Sequence, residues 1–403
     1  MSLEQIKQIK KTPASELEQR MRRFTGAMDA VYADWEFCAI TGGVSMYYLT
    51  GAICDGMLLI RRGKDAVLWV KRSYDRAVLE SEFGEIRRMT SFRDVAGAVS
   101  PLPDTLYLDM SAATLEWYGI LSRYMKFDKV LPVDNVMLGV RAVKSLYEIA
   151  IMRRAGSIID RLLHENLPGL LRPGMSEADL GTELFSLFIK NGYHGVSRFS
   201  MRNADVLLGH IGFGCSPLYP SIFNGASGAV GLCPAAPVLG SRDIRLKAGD
   251  LVYIDIGFGL EGYNVDKTLI YSFGGDQPEH VRDAHSHCLE LERLAVSMML
   301  PGAKPSDIYD SVIHAVRPEL RGCFMGVAGR TVNFLGHGVG LYVDEFPVLA
   351  KGFDQPLECG MTIAVEPKIS VDGIGLTGSE NTYLITESGA ESLTGEQQEI
   401  IIC

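Results

Sequence analysis

Apolar residues recur every three or four positions through ASELEQRMRRFTGAMDAV, 14–31, and that spacing predicts an amphipathic helix. The pattern then changes period. GMLLIRRGKDAVLWVKR, 56–72, reads as two strands joined by a turn at Gly63-Lys64. TLYLDMS is a further buried strand, and AATLEWYGILSRY a further amphipathic helix. Residues 1–142 are therefore expected to form a smaller α/β domain, with the boundary near 136–145. They bring together no cluster of reactive side chains.

Past the boundary, Ser145 and Glu148 have the spacing of a capping box ahead of the helical run IAIMRRAGSIIDRLLHENL. A second helix opens in RPGMSEADLGTELFSLFIKNG with Ser176 as its N-cap. LPGAKPSDIYDSVIHAV repeats that arrangement: Pro-Gly, a short spacer, a capping residue, then an amphipathic helix. Each copy precedes a strand-rich stretch. A helix–helix–strand unit used twice predicts a pseudo-symmetric domain over 143–403 with a site between its halves.

Composition narrows the partners. The 403 residues carry a net charge of −10 and no run of Lys or Arg, so nucleic acid and anionic membrane surfaces are poor partners. No apolar run approaches the roughly 20 residues of a spanning helix. The polar start MSLEQIKQIKKTPASE lacks the apolar stretch of a secretory signal. Eight cysteines without a Cys-x-x-Cys pair are expected to be reduced thiols in a cytoplasmic protein.

The candidate chemistry lies in the last 150 or so residues. Asp255 sits in LVYIDIG and Asp266 in YNVDKTLIYSF, with GFGLEG between them as a hairpin. A two-residue turn at Leu260-Glu261 would set the aspartates directly opposite each other on one face. MTIAVEPKIS and GSENTYLIT flank a second Gly-rich turn. A hairpin centred on Gly373 sets Glu366 opposite Glu380. Like charges facing each other destabilise a sheet, and a cation between them removes the objection. GHGVGLYVDEFP adds His337 in a glycine turn and Asp344 seven residues later. Four carboxylates and one imidazole suit two divalent first-row ions roughly 3.5–4 Å apart. They suit a structural zinc poorly, since thiolates or several histidines are expected there.

At these residues the sequence resembles the pita-bread metallopeptidases, the family of methionine aminopeptidase, aminopeptidase P and prolidase. Its ligands run Asp, Asp, His, Glu, Glu. They match Asp255 and Asp266 in IDIGFGLEGYNVD, His337 in GHGVG, Glu366 in VEP and Glu380 in GSENTYLIT. YYLTGAICDGMLLI and VKSLYEIAIMRRA resemble the N-terminal domain of the proline-directed branch and of creatinase. The resemblance implies an α+β chain: a pita-bread domain with an antiparallel sheet flanked by helices, beside the α/β domain. It also implies a homodimer acting on short peptides, Xaa-Pro bonds included. Two divalent ions (Mn, Co, Zn or Fe) would activate a bridging water, and Glu366 would carry its proton to the leaving amine.

Three positions depart from the proline-directed pattern. Asp344 and Val238 stand where those members carry histidines, and Leu269 where an arginine is frequent. His210, in RNADVLLGHIGFG upstream of the inserted SIFNGASGAVG, is the candidate replacement. Asp344 is expected to bind a cationic substrate group or to orient a partner. His285 and His287 form a decoy, because residues two apart on a helix do not share a face. The competing readings are a non-peptidase on the same scaffold, like creatinase or a dimethylsulfoniopropionate lyase, and a binding module without catalysis. Creatinase and the binding modules lack metal ligands that this chain keeps.

Overall fold

The computed structural model describes residues 9–201, 204–222, 224–327 and 329–403. The polar start at 1–8 lies outside them, as do Arg202 and Asn203 ahead of His210 and Phe223 after it. The chain divides into two compact units, Met1–Arg141 and Ala142–Cys403.

In the first unit, α1 (Ala14–Val31) buries Leu17, Phe24 and Met28, the face its spacing predicts. β1 (Phe37–Ile40), buried at every position, is followed by α2 (Gly43–Thr50). The expected hairpin is β2 (Asp55–Arg61) and β3 (Val67–Arg72). Then come α3 (Tyr74–Glu80), β4 (Ile86–Arg88), α4 (Phe92–Val99), β5 (Thr105–Leu108), α5 (Leu115–Leu121), β6 (Lys129–Pro132) and α6 (Asp134–Ala142). One mixed sheet of order β4-β3-β2-β1-β5-β6 results, with Trp69, Phe92, Val95 and Leu106 in its core.

The second unit opens with α7 (Leu146–Arg161), capped by Ser145 and Glu148, and α8 (Glu177–Lys190), capped by Ser176 with Asp179. β7 (Gly209–Phe213), β8 (Leu251–Leu260) and β9 (Tyr263–Ser272) follow. The order then repeats with α9 (Glu279–Met298) and α10 (Pro305–Ala315). Beyond the short pair β10 (Gly326–Val327) and β11 (Arg330–Thr331) come β12 (Phe334–Gly338), β13 (Glu345–Ala350) and β14 (Thr362–Val365). The chain ends with β15 (Lys368–Val371), β16 (Gly375–Gly378), β17 (Glu380–Thr386), β18 (Gly389–Ser392) and β19 (Ile401–Ile402). The main sheet runs β13-β12-β14-β17-β9-β8-β7, so each helix pair delivers its strands to one half of a shared surface. Leu291, Ile308, Leu335, Ile363 and Val365 sit in the core beneath it.

Two registers decide where the acidic side chains point. In the β8–β9 hairpin, Leu260 pairs with Tyr263, so the turn is Glu261-Gly262 and not Leu260-Glu261. Glu261 and Gly262 have φ of 52° and 94°. A turn with two consecutive positive φ values favours glycine at one of them, and Gly262 supplies it. Asp255 therefore faces Thr268 and Asp266 faces Gly257, which corrects the direct pairing expected above. The offset is two residues, so both aspartates stay on one face as diagonal neighbours. The second hairpin has the expected register: Val371 pairs with Gly375 at one end, and Val365 with Asn381 beyond the break. The ladder is interrupted between β14 and β15, at Glu366-Pro367, where proline has no N–H to contribute. Glu366 and Glu380 flank that interruption.

All eight cysteines are free. Among the described residues no helix is long and apolar enough to cross a membrane.

Candidate metal centre

A row of side chains crosses four adjacent strands. Glu380 on β17 pairs with Thr268 on β9, Thr268 with Asp255 on β8, and Asp255 with His210 on β7. Asp266 lies two residues along β9 on the same face, and His337 comes from β12, opposite Ala364 of β14. β8 is otherwise apolar, and β8 and β9 are almost wholly buried, so the two aspartates on their shared face are enclosed. Beside them lies a cavity of about 270 Å³. All five expected ligands line it, and so do His210 and Asp344. Phe199, Met201, Phe334, Val343 and Val348 contribute apolar lining. Val238 and Leu269 are not among the described residues that line it.

The ligand atoms fall into two groups. Asp266, His337 and Glu380 each offer an atom, and these atoms lie within 4.8 Å of one another. His337 Nε2 stands 3.4 Å from Glu366 Oε1 and 4.0 Å from Glu380 Oε1. This grouping suits a single divalent cation with oxygen and imidazole ligands. Asp255 belongs to the other group. Its Oδ2 accepts hydrogen bonds from Ser227 Oγ, Tyr253 OH and Lys368 Nζ, each at 2.9 Å. Lys368 Nζ also donates to Glu366 Oε2 at 2.7 Å and to Glu380 Oε2 at 3.0 Å.

The charges follow from burial and neighbours. Burial alone would raise Asp255, but Lys368, His210 and the hydrogen bond from Ser227 outweigh it and hold the carboxyl well below the usual range. His337 and Lys368 also pull Asp266 down, but they are outweighed. Burial and the charge of Asp255 push it up to about 7. Glu380 is raised for the same two kinds of reason, burial and the nearby Asp266. Burial opposes charge on His337, yet Glu366, Glu380 and Asp266 raise it to about 10. The Lys368 ammonium thus lies against Asp255, Glu366 and Glu380.

His210 is buried, and burial lowers its pKa against the pull of Asp255. Its Nδ1 lies 2.7 Å from Ser227 Oγ. Because Ser227 donates its own proton to Asp255, Nδ1 carries the hydrogen of that bond. Asp344 is tied elsewhere: Oδ1 accepts from Ser200 N at 2.5 Å and Oδ2 from Ser200 Oγ at 2.7 Å. It anchors the segment that brings Phe199 and Met201 to the cavity. His285 and His287 are structural on α9. His285 bridges Thr377 Oγ1 and Gln398 O, and His287 meets Glu290 and the backbone N–H of Arg317.

Sequence reading passed over three residues here. Tyr253 and Lys368 each lie two positions from an expected ligand, and that period places strand residues on one face. Ser227 gives no comparable signal, because it reaches the site from the Gly-rich connection between β7 and β8.

Comparison with known proteins agrees with this architecture. The family model "Metallopeptidase family M24" matches residues 150–387, and "Creatinase/Prolidase N-terminal domain" matches 20–143. The chain belongs to the M24 metallopeptidase family. A Xaa-Pro dipeptidase of Pyrococcus furiosus is 26% identical over 96% of this chain and 100% of that protein. A probable dipeptidase, PepE, of Mycobacterium tuberculosis is 31% identical over 68% of this chain and 64% of its own length. Among solved structures, the prolidase from Pyrococcus horikoshii superimposes with a TM-score of 0.78 at 24% identity, covering 95% of this chain and 100% of that one. That likeness shows the shared fold.

Proposed function

We propose that this chain hydrolyses short peptides at a divalent cation held by Asp266, His337 and Glu380, with Glu366 as the proton carrier. The observation that carries the reading is the convergence of these side chains, drawn from three strands and the break between β14 and β15, on one cavity with apolar lining. Such a cation, when bound, supplies a more acidic water and a polarised scissile carbonyl. Glu366 lines the cavity and turns Oε1 toward His337, so it is placed to take the proton of the attacking water and pass it to the leaving amine. His210 lines the cavity beside the substrate, with Ser227 and Asp255 fixing its ring. Asp344 acts through Ser200, orienting the segment beside the substrate.

The donor set accepts manganese, cobalt, iron or zinc. Cleavage before proline is the narrower form of the proposal. It is supported by the activity named for the Pyrococcus furiosus relative and by an apolar lining suited to a pyrrolidine ring. Val238, Asp344 and Leu269 depart from the proline-directed pattern, and this favours keeping a second reading, a non-peptidase acting on a C–N or C–S bond in the same cavity.

A panel of Xaa-Pro and non-proline dipeptides, incubated with the full chain and manganese or cobalt, tests the proposal by release of free amino acids. Hydrolysis that disappears in His337→Ala is expected. If the metal-loaded protein cleaves no dipeptide in the panel, the peptidase reading is wrong.

A further inference from the structure

Lys368 is buried to 1% exposure, two residues from Glu366, in a site whose expected ligands are four carboxylates and an imidazole. An ammonium has three N–H donors. Here they meet three carboxylate oxygens: Asp255 Oδ2 at 2.9 Å, Glu366 Oε2 at 2.7 Å and Glu380 Oε2 at 3.0 Å. Its place is built into the fold. Lys368 pairs with Gly378 across the β15–β16 ladder, and a Cβ on Gly378 would come within 2.8 Å of Lys368 Cα and 3.0 Å of its Cγ. The glycine opposite leaves room for the lysine stem.

Each glutamate divides its two oxygens. Glu366 gives Oε2 to Lys368 and turns Oε1 toward His337, and Glu380 does the same. The centre therefore has two positive positions of different kinds. One, near Asp266 and His337, has its ligand atoms free of the lysine. The other, bounded by Asp255, Glu366 and Glu380, is where the ammonium stands. A divalent ion bound to Asp255 and Glu380 would need the oxygens that Nζ takes and would lie against a positive charge.

We propose that the Lys368 ammonium stands in for the second of the two cations expected of this ligand set, so that each chain binds one divalent ion, at Asp266, His337 and Glu380. This inference rests on the cation-dependent reading above. The lysine is a positioning residue: it holds Asp255, Glu366 and Glu380 together as a bridging ion would, without supplying a Lewis acid or an acidic water. The centre is accordingly asymmetric, and one equivalent of metal completes it.

The test uses the stripped full chain titrated with Mn²⁺ alone, read by elemental analysis after gel filtration and by electron paramagnetic resonance. Wild type is expected to retain one manganese per chain with an uncoupled six-line spectrum. Lys368→Ala is expected to retain two, with the broadened spectrum of an exchange-coupled pair. Lys368→Met, which keeps the stem and removes the charge, serves if the alanine variant does not fold. Two manganese ions in wild type, or one in both folded variants, overturns the inference. The wild-type spectrum alone decides if neither variant folds. Wild type that binds no manganese overturns this inference and the cation centre together. One ion in wild type and two in the variant, with no dipeptide cleaved, leaves the inference standing and removes the peptidase reading.

Discussion

Glu177→Ala is predicted to loosen the strand that carries His210. Glu177 is the first residue of α8, and its side chain is completely buried. Oε1 accepts the backbone N–H of Phe213 at the end of β7, 2.9 Å away. Oε2 accepts the N–H of Ser241, at 2.8 Å. One carboxylate thus joins a helix start, a strand end and a loop that are far apart in sequence. Gly240 makes the approach possible, since a Cβ there would come within 2.5 Å of Glu177 Cβ. Removing the carboxylate leaves two buried N–H groups without their acceptor, at about 1–3 kcal/mol each. Burial pushes the Glu177 carboxyl up, so part of that loss is offset when the charge is no longer buried. The expected net destabilisation is about 3 kcal/mol, or roughly 6–12 °C in the melting midpoint of a unit this size. Glu177→Gln, which keeps one acceptor, should lose about half as much. The assay is a thermal melt of the full chain followed by the transition assigned to the second unit. KM should rise more than manganese affinity falls, because β7 carries His210 but none of the expected ligands. An alanine variant melting within about 2 °C of wild type would refute the clamp.

Three further outcomes follow from the geometry. Asp109, buried in the first unit, accepts the backbone N–H groups of Thr41 and Gly42 and is pushed by burial from 3.8 to about 6. The folded chain therefore holds that proton more tightly than the unfolded one. Its stabilising contribution is full below about pH 4 and is lost by about pH 6, about 3 kcal/mol in all, so wild type should lose stability relative to Asp109→Asn over that range. A difference independent of pH contradicts the assignment. Ser227→Ala removes the hydroxyl between His210 and Asp255. It should lower kcat by about tenfold, the scale of one lost positioning bond of about 1.4 kcal/mol, with manganese stoichiometry unchanged. Asp344→Ala frees Ser200 and should raise KM several-fold at nearly constant melting temperature, since the pair is exposed.

Much of the site was legible because strand period and turn chemistry are local properties. The Gly373-centred hairpin brought Glu366 and Glu380 together as expected. The β8–β9 register was missed because Glu261 adopts a positive φ, a choice set by Gly262 after it and not by any preference of glutamate. The aspartates still share a face, because the error was an even number of residues. His210 was singled out for its residue type. Its pairing with Asp255 depends on β7 closing against β8 across a long connection, and no local rule gives that register. Lys368 had a readable position, two residues from Glu366, but charge beside charge on a strand ordinarily marks a solvated face. Only the closed sheet shows the ammonium enclosed.

The most direct test of the account is anomalous diffraction from crystals of the full chain soaked in Mn²⁺. A single peak is expected within about 2.0–2.3 Å of oxygens of Asp266 and Glu380 and of His337 Nε2, with the Lys368 ammonium still on Asp255. Manganese elsewhere, or none among those three residues, would contradict it.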